Sequence, residues 1–361
     1  MNKNHLVKSI LKSVGIVFGV CLTLFVCYVA YVFITYERIP DKQVLEVSHS
    51  SDLVATTGET YGIVSYNLGF GAYLPDFSFF MDGGEKSIAK SKESVIYAIQ
   101  GAAKAVKDLN PDFVTFQEVD LDGTRSHHVN QFELLCQNFE SFDNTYAVNF
   151  DSAFLAYPIL EPHGKNKACI ATFSRFGIES ALRRSLPITT SVTKVLDLDR
   201  CYSVSRIPVE GGKYLCIFNI HMSAYSSDAS IREGQIKMFA EDMAKEYAAG
   251  NYVICAGDFN HDLKNMNFDE EPAFSWAYPF PRDLLPEGFA FAIDELQGEE
   301  AQGLWDSARN ADIEYIPGET MTITLDGFIF SDNIEMVNYT NLNLGYAYSD
   351  HDPVYMEFIL K

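Results

Sequence analysis

Apolar residues fall into three kinds of run along this chain. The first is unbroken: residues 14–36 read VGIVFGVCLTLFVCYVAYVFITY, without a charge. That length meets the roughly 20 apolar residues needed to cross a bilayer. A cleaved leader has a shorter apolar stretch, about 7–15 residues, and a small-residue cleavage site. A buried core helix would keep some polar face. The run is therefore read as an uncleaved membrane anchor. The second kind is short and strand-like, at residues 61–68, 112–119, 169–175, 214–222, 252–259, 324–331 and 354–360. The third recurs at helical spacing. Val95, Ile96, Ile99, Ala102, Ala103, Val106 and Leu109 predict a helix over 87–109, stopped by Asn110-Pro111. Ile236, Phe239, Met243 and Tyr247 predict a second over 231–248, with Gly250 after its end. Strands mixed with helices predict one α/β domain over 61–361. Residues 1–36 form the inner tip and anchor, and the polar stretch 37–60 reads as a tether.

Polar residues stand where several of these strands end. Asn67 closes the first, Glu118 the second and His221 the fourth, while Asp258 and Asn260 follow VICAG. Asp326 lies in TLDGFIF, and Asp350 and His351 precede the last strand. Any one of them alone reads as a turn former or cap. Together they mark a site, because ligands of α/β sheets collect outside strand ends. Asn, Glu and Asp supply hard oxygen donors, which suit Mg²⁺, or Mn²⁺ or Ca²⁺, better than zinc. An imidazole beside a carboxylate suits a general base acting on water.

The ordered segments YNLG, PDFVTFQEVD, FNIHMSAY, GDFNHD, ITLDGFIFS and SDHDPV resemble those of the endonuclease/exonuclease/phosphatase superfamily. The resemblance runs over nearly all of 61–361. It implies a four-layer α/β/β/α sandwich of two mixed sheets, here preceded by one transmembrane helix. It also implies roles. Glu118 with Asn67 corresponds to the principal metal-binding pair, and Asp350 assists directly or through water. Asp258 orients or activates the attacking water, and Asn260 holds a phosphate oxygen. His221 hydrogen-bonds the phosphoryl group. His351, oriented by Asp326, serves as base or transition-state stabiliser. The implied reaction is in-line attack of water on a phosphoester. Arg125 and Lys167 are further candidates for a substrate phosphate. His127 and His128 are read as surface residues, since neighbours on an extended segment point apart.

Charge narrows the substrate. The chain carries 27 Lys and Arg against 49 Asp and Glu, a net −22. Such a surface repels polyanions, and no basic stripe is present to displace counterions from nucleic acid. A nuclease of the same fold is thus an alternative, not the first reading. A catalytically inactive surface-binding module is a second alternative, and the full set of polar residues speaks against it. Seven cysteines without a CxxC give neither a zinc site nor a disulfide framework. Lys3, Lys8 and Lys12 precede the apolar run, while Arg38 and Lys42 after it alternate with Glu37 and Asp41. That asymmetry places the N-terminus in the cytoplasm and the domain outside. Two aromatic stretches, residues 68–84 and 274–291, flank the strand ends. Their aromatics either cover the sheet edges, as most aromatics do, or form an apolar mouth suited to a lipid or amphiphilic headgroup. No obligate protein partner is evident.

Overall fold

Two stretches of the chain repeat one device: an apolar strand, a helix packed back across it, and a second strand parallel to the first. A computed structural model describes residues 3–191, 194–195, 198–224, 229–265 and 277–361. In chain order its strands are β1 (Gln43–Leu45), β2 (Thr60–Asn67), β3 (Phe113–Gly123), β4 (Asp143–Asp151) and β5 (Asn166–Ser174). There follow β6 (Ser180–Ser185), β7 (Cys201–Val209), β8 (Lys213–His221), β9 (Tyr252–Asp258) and β10 (Phe289–Phe291). The last are β11 (Ala308–Arg309), β12 (Thr322–Ile323), β13 (Asp326–Ser331), β14 (Ile334–Asn341) and β15 (Val354–Leu360). The helices are α1 (Lys3–Thr35), α2 (Lys92–Asp108), α3 (Gln131–Asn138), α4 (Ala229–Ala248) and the short α5 (Glu299–Gly303).

One sheet runs β14-β15-β2-β3-β5-β4 and the other β1-β6-β7-β8-β9-β13-β10. Each has one parallel pair among antiparallel ones: β2 with β3, crossed by α2, and β8 with β9, crossed by α4. Strand alternation sorts the side chains into layers. Ile63, Phe113, Ile217, Ile254, Phe328 and Met356 fill the space between the sheets. Val64, Tyr66, Val114 and Phe116 face outward onto Val95, Ile99 and Val106 of α2. Phe218, Ile220 and Cys255 meet Ile236, Phe239 and Met243 of α4. The result is the four-layer α/β/β/α sandwich, and it sets the carboxyl ends of both parallel pairs at one rim.

Several predicted boundaries move for local reasons. The helix expected over 87–109 begins at Lys92, because Ser91 caps it in a reciprocal box with Ser94. Ser87 is instead buried and held through its amide by Glu161, 3.0 Å away. The aromatic stretch 274–291 does not form a mouth where it is described. Phe280 and Phe291 are fully buried and pack edge-on against Phe259 at 5.9 and 5.1 Å between ring centres. Phe274 and Trp276 lie outside the described residues.

The stretch read as a tether is laid along the sandwich as a collar. β1 extends the second sheet by pairing with β6. Arg38 donates to Asp199 Oδ1 and to the Leu186 carbonyl, both at 2.6 Å. Buried Arg183 donates to the Pro40 carbonyl at 3.1 Å. Ala55 is fully buried, its amide donating to Pro208 O at 3.0 Å. Polarity hid this, because the segment makes its contacts through backbone and ion pairs more than through apolar faces. Before the collar, one helix is long and apolar enough to cross a membrane, over Val7–Thr35.

Candidate active site

Sheet register brings the predicted residues together. His221 pairs with Asp258 across β8 and β9, and Asp258 pairs with Asp326 across β9 and β13. Registered neighbours point to the same face, so the three side chains stand in a row at the rim. Gly257, next to Asp258, has φ +151, and any Cβ there would lie 2.0 Å from the Ile220 carbonyl. The close approach of β8 and β9 beneath the site needs that glycine.

Glu118 joins the row from the other sheet through an irregularity. The β3–β5 register slips between Phe116 and Val119, and Glu118 sits at φ +52. A bulge re-aims a side chain that regular pleating would place elsewhere. Asn260 is also at positive φ, +49. Such backbone strain costs on the order of 1–3 kcal/mol per residue and gathers at functional sites. Asn67 binds the sheets together: its Nδ2 donates to Glu118 Oε1 at 3.3 Å and to Asp258 Oδ2 at 3.1 Å. Its carbonyl accepts from Ser349, which also donates to Asp350 Oδ1 at 3.1 Å. Gly69 is required beside it, since a Cβ would come within 2.7 Å of Asp350 Oδ1.

Electrostatics separate the roles. Burial and the facing charge of Asp350 push the Glu118 carboxyl up. A cation between two such carboxylates would relieve both costs. This charge pairing fits a hard divalent ion on Glu118 and Asp350, while Asn67, whose Oδ1 accepts from the Gly69 amide at 3.0 Å, steadies Glu118 through its Nδ2. Asp258, Asp326 and His351 also offer donor atoms within 4.8 Å of one another. There, however, Asp326 Oδ2 already accepts from His351 Nδ1 at 2.7 Å and from Ser307 Oγ at 2.7 Å. That pairing orients an imidazole more directly than it cradles an ion. Burial opposes a charge on His351, but Asp326, Asp350 and Asp258 outweigh it and hold the imidazole well above its usual range. Burial, and next the neighbouring Asp326, push Asp258 up to about 7. Burial and the charge of Arg200 push His221 well below its usual range. His221 Nε2 lies 3.6 Å from Asp258 and 3.9 Å from Glu118, and its Nδ1 is buried without a partner. Asn260 Nδ2 donates to the Met222 carbonyl at 2.9 Å, while its amide donates to Asp258 Oδ1 at 2.8 Å.

Glu118, His221, Asp258, Asn260, Asp350 and His351 all line one cleft of about 290 Å³. Asn67 and Asp326 stand behind them as supports. Of the two candidate substrate residues, Arg125 reaches the cleft, buried beneath Phe70 at 3.9 Å and paired with Asp120 at 2.7 Å. Lys167 does not. On β5 its neighbours Asn166 and Ala168 turn inward, and strand alternation sends Lys167 outward to Asp151 at 3.5 Å. His127 and His128 stay outside the cleft, bonded to the Ala89 carbonyl and to Asp122. In the loop after Asn67, Phe77 is buried core, whereas Phe70, Tyr73, Phe79, Phe80 and Met81 line the cleft wall.

Arg200 was not anticipated. It is almost wholly buried, lines the cleft, and its Nε and Nη1 have no partner among the described residues. Its signal in the sequence is slight: one arginine before an apolar strand, in DLDRCYSV. Arg309, also in the cleft, donates to the Tyr73, Leu74 and Phe77 carbonyls and so braces the aromatic loop.

The family model described as "Endonuclease/Exonuclease/phosphatase family" matches residues 64–305. No curated protein matches the sequence. Among solved structures, an endonuclease/exonuclease/phosphatase from Beutenbergia cavernae is similar with TM-score 0.56 and 14% identity, over 83% of this chain and 72% of that one. TDP2 of D. rerio, complexed with single strand DNA product, gives 0.54 and 14%, over 83% and 99%. ANGEL2, a 2',3'-cyclic phosphatase in complex with adenosine-2',3'-vanadate, gives 0.53 and 13%, over 89% and 99%.

Proposed function

The chain belongs to the endonuclease/exonuclease/phosphatase family, and from that premise we propose that it is a Mg²⁺-dependent phosphodiesterase of an outer membrane surface, acting on an amphiphile. Hydrolysis of phosphoester bonds is the chemistry of the family. The observation that carries the reading is the single cleft in which Glu118, Asp258, His221 and His351 meet beneath an aromatic wall. Glu118 and Asp350, with Asn67 steadying Glu118, would hold the divalent ion, which would supply charge neutralisation at the phosphoryl oxygens. Asp258, with its proton affinity near neutrality, orients water and takes its proton. His351, kept charged by Asp326, holds its Nε2–H toward the same space and stabilises negative charge as it develops. His221 and Asn260 position phosphoryl oxygens. Phe79, Phe80 and Met81 give the cleft an apolar side, which suits the acyl end of an amphiphile better than a polynucleotide, as does the net charge of −22.

The full chain in detergent micelles, with Mg²⁺ and with EDTA, is to be assayed against sphingomyelin, phosphatidylinositol phosphates, plasmid DNA, RNA and bis-p-nitrophenyl phosphate. EDTA-sensitive cleavage of a lipid is expected, lowered at least 1,000-fold by Glu118→Ala, as for loss of a metal's charge stabilisation. Cleavage confined to DNA or RNA would replace the lipid reading with a nuclease. Full activity in Glu118→Ala would refute the metal assignment.

A further inference from the structure

The segment between β4 and β5 carries a run without charge, SAFLAYPIL, at residues 152–160. Its base is closed by two backbone hydrogen bonds, Leu155 N to Gly164 O at 2.9 Å and Gly164 N to Leu155 O at 3.0 Å. The tip beyond that closure exposes what a water-facing loop would bury: Tyr157 is 69% exposed, Ile159 82% and Leu160 99%. Isolated exposed apolar residues are ordinary, but a contiguous set marks a surface that meets something apolar.

The bonds of the loop point to what that is. The loop is bonded to α1. Tyr28 donates its hydroxyl to the Phe154 carbonyl at 3.1 Å and accepts from the Ala156 amide at 2.9 Å. The Tyr31 hydroxyl accepts from the Phe154 amide at 3.3 Å. In the outer half of α1 only Tyr28, Val29 and Val32 are shielded, one face at helical spacing turned to the domain, and Tyr36 just after the helix continues it. Counting about 20 residues from Lys12, the last inner lysine, brings the hydrocarbon to an end near Val32. Tyr28 and Tyr31 therefore lie within about one helical turn of that outer boundary, close to the interfacial layer where tyrosine is favoured. A loop whose backbone is bonded to those two hydroxyls sits at the same depth, and its otherwise unpaired polar groups are satisfied there.

We infer that residues 154–160 are a membrane-seated loop, with Ile159 and Leu160 in the acyl region of the outer leaflet. This rests on α1 crossing a membrane, as proposed above. Leu155 and Tyr157 of the same loop line the catalytic cleft, and the Tyr157 ring meets that of Phe80 at 5.8 Å. The cleft thus opens beside the leaflet, and its substrate enters sideways from the bilayer.

The full chain is to be reconstituted into phosphatidylcholine nanodiscs, with and without bromine on the acyl chains. Tryptophan fluorescence is read above the background of the two native tryptophans. Leu160→Trp is compared with Phe25→Trp in α1 and with Tyr97→Trp, an exposed position on α2. Bromine is expected to quench Leu160→Trp and Phe25→Trp at least twofold and to leave Tyr97→Trp unchanged. Quenching of Phe25→Trp without Leu160→Trp would overturn the loop assignment and leave the anchor standing. No quenching at either would remove the anchor, and the loop assignment with it.

Discussion

At the scale of single residues, the site is a set of charges whose environments pull their proton affinities apart. Asp258 is raised by burial, His221 is depressed by it, and His351 is held protonated by Asp326. Arg200 completes this set. Two of its guanidinium nitrogens are buried in the cleft and unpaired among the described residues, an arrangement that costs stability unless a ligand meets them. Arg200→Ala is expected to lower kcat/KM for the anionic substrate by about 10- to 100-fold, the loss of a charged hydrogen bond. Arg200→Lys should recover only part of that, because lysine lacks the planar fork. Steady-state kinetics on both variants check it, and unchanged kcat/KM in Arg200→Ala would remove the residue from substrate binding.

At the scale of elements, the legible parts of the sequence were those with one consistent period. The seven strands with strongly apolar runs, and α2 and α4, all form, because buried central strands and amphipathic helices each write a strong pattern. Of the longer strands, β4, β6, β7 and β14 were missed. Their sequences DNTYAVNFD, SALRRS, CYSVSRIPV and IEMVNYTN mix polar and apolar residues, as suits strands bearing ion pairs or an open face. The residues of the site were legible because polar side chains at strand ends have no packing reason to be there. Lys167 was misplaced because proximity in sequence does not fix which face of a strand a residue takes. Phe77 was misplaced because an aromatic loop can fold onto its own core. The orientation of α1 is a further matter at this scale. Three lysines before its apolar run and alternating charges after it predict an outward domain. Protease added to intact cells should therefore digest the domain, and full protection would reverse the topology.

For the whole molecule, stability and pH are linked through two histidines outside the reacting set. His163 lies among Phe70, Phe79 and Phe80, and burial, helped by Arg125, lowers it to about 4. Burial likewise lowers His261 to about 4. Each is neutral when folded, while the unfolded chain takes up a proton below about 6.5. Their contribution is thus fully present above pH 6.5 and is lost as pH falls toward 4, on the order of 3 kcal/mol per residue. The Tm should fall steeply over that window, and less steeply in the double variant His163→Gln/His261→Asn. Equal slopes by calorimetry would show that other groups govern acid unfolding. The collar has a consequence of its own. Because residues 37–60 are stitched to the sandwich by β1, Arg38 and Ala55, the domain is held against the outer end of α1 and does not swing on a leash. With α1 as the proposed membrane anchor and a lipid as the proposed substrate, its search would be two-dimensional: the substrate concentration that it met would be a mole fraction of the leaflet, set by lateral diffusion and lipid composition.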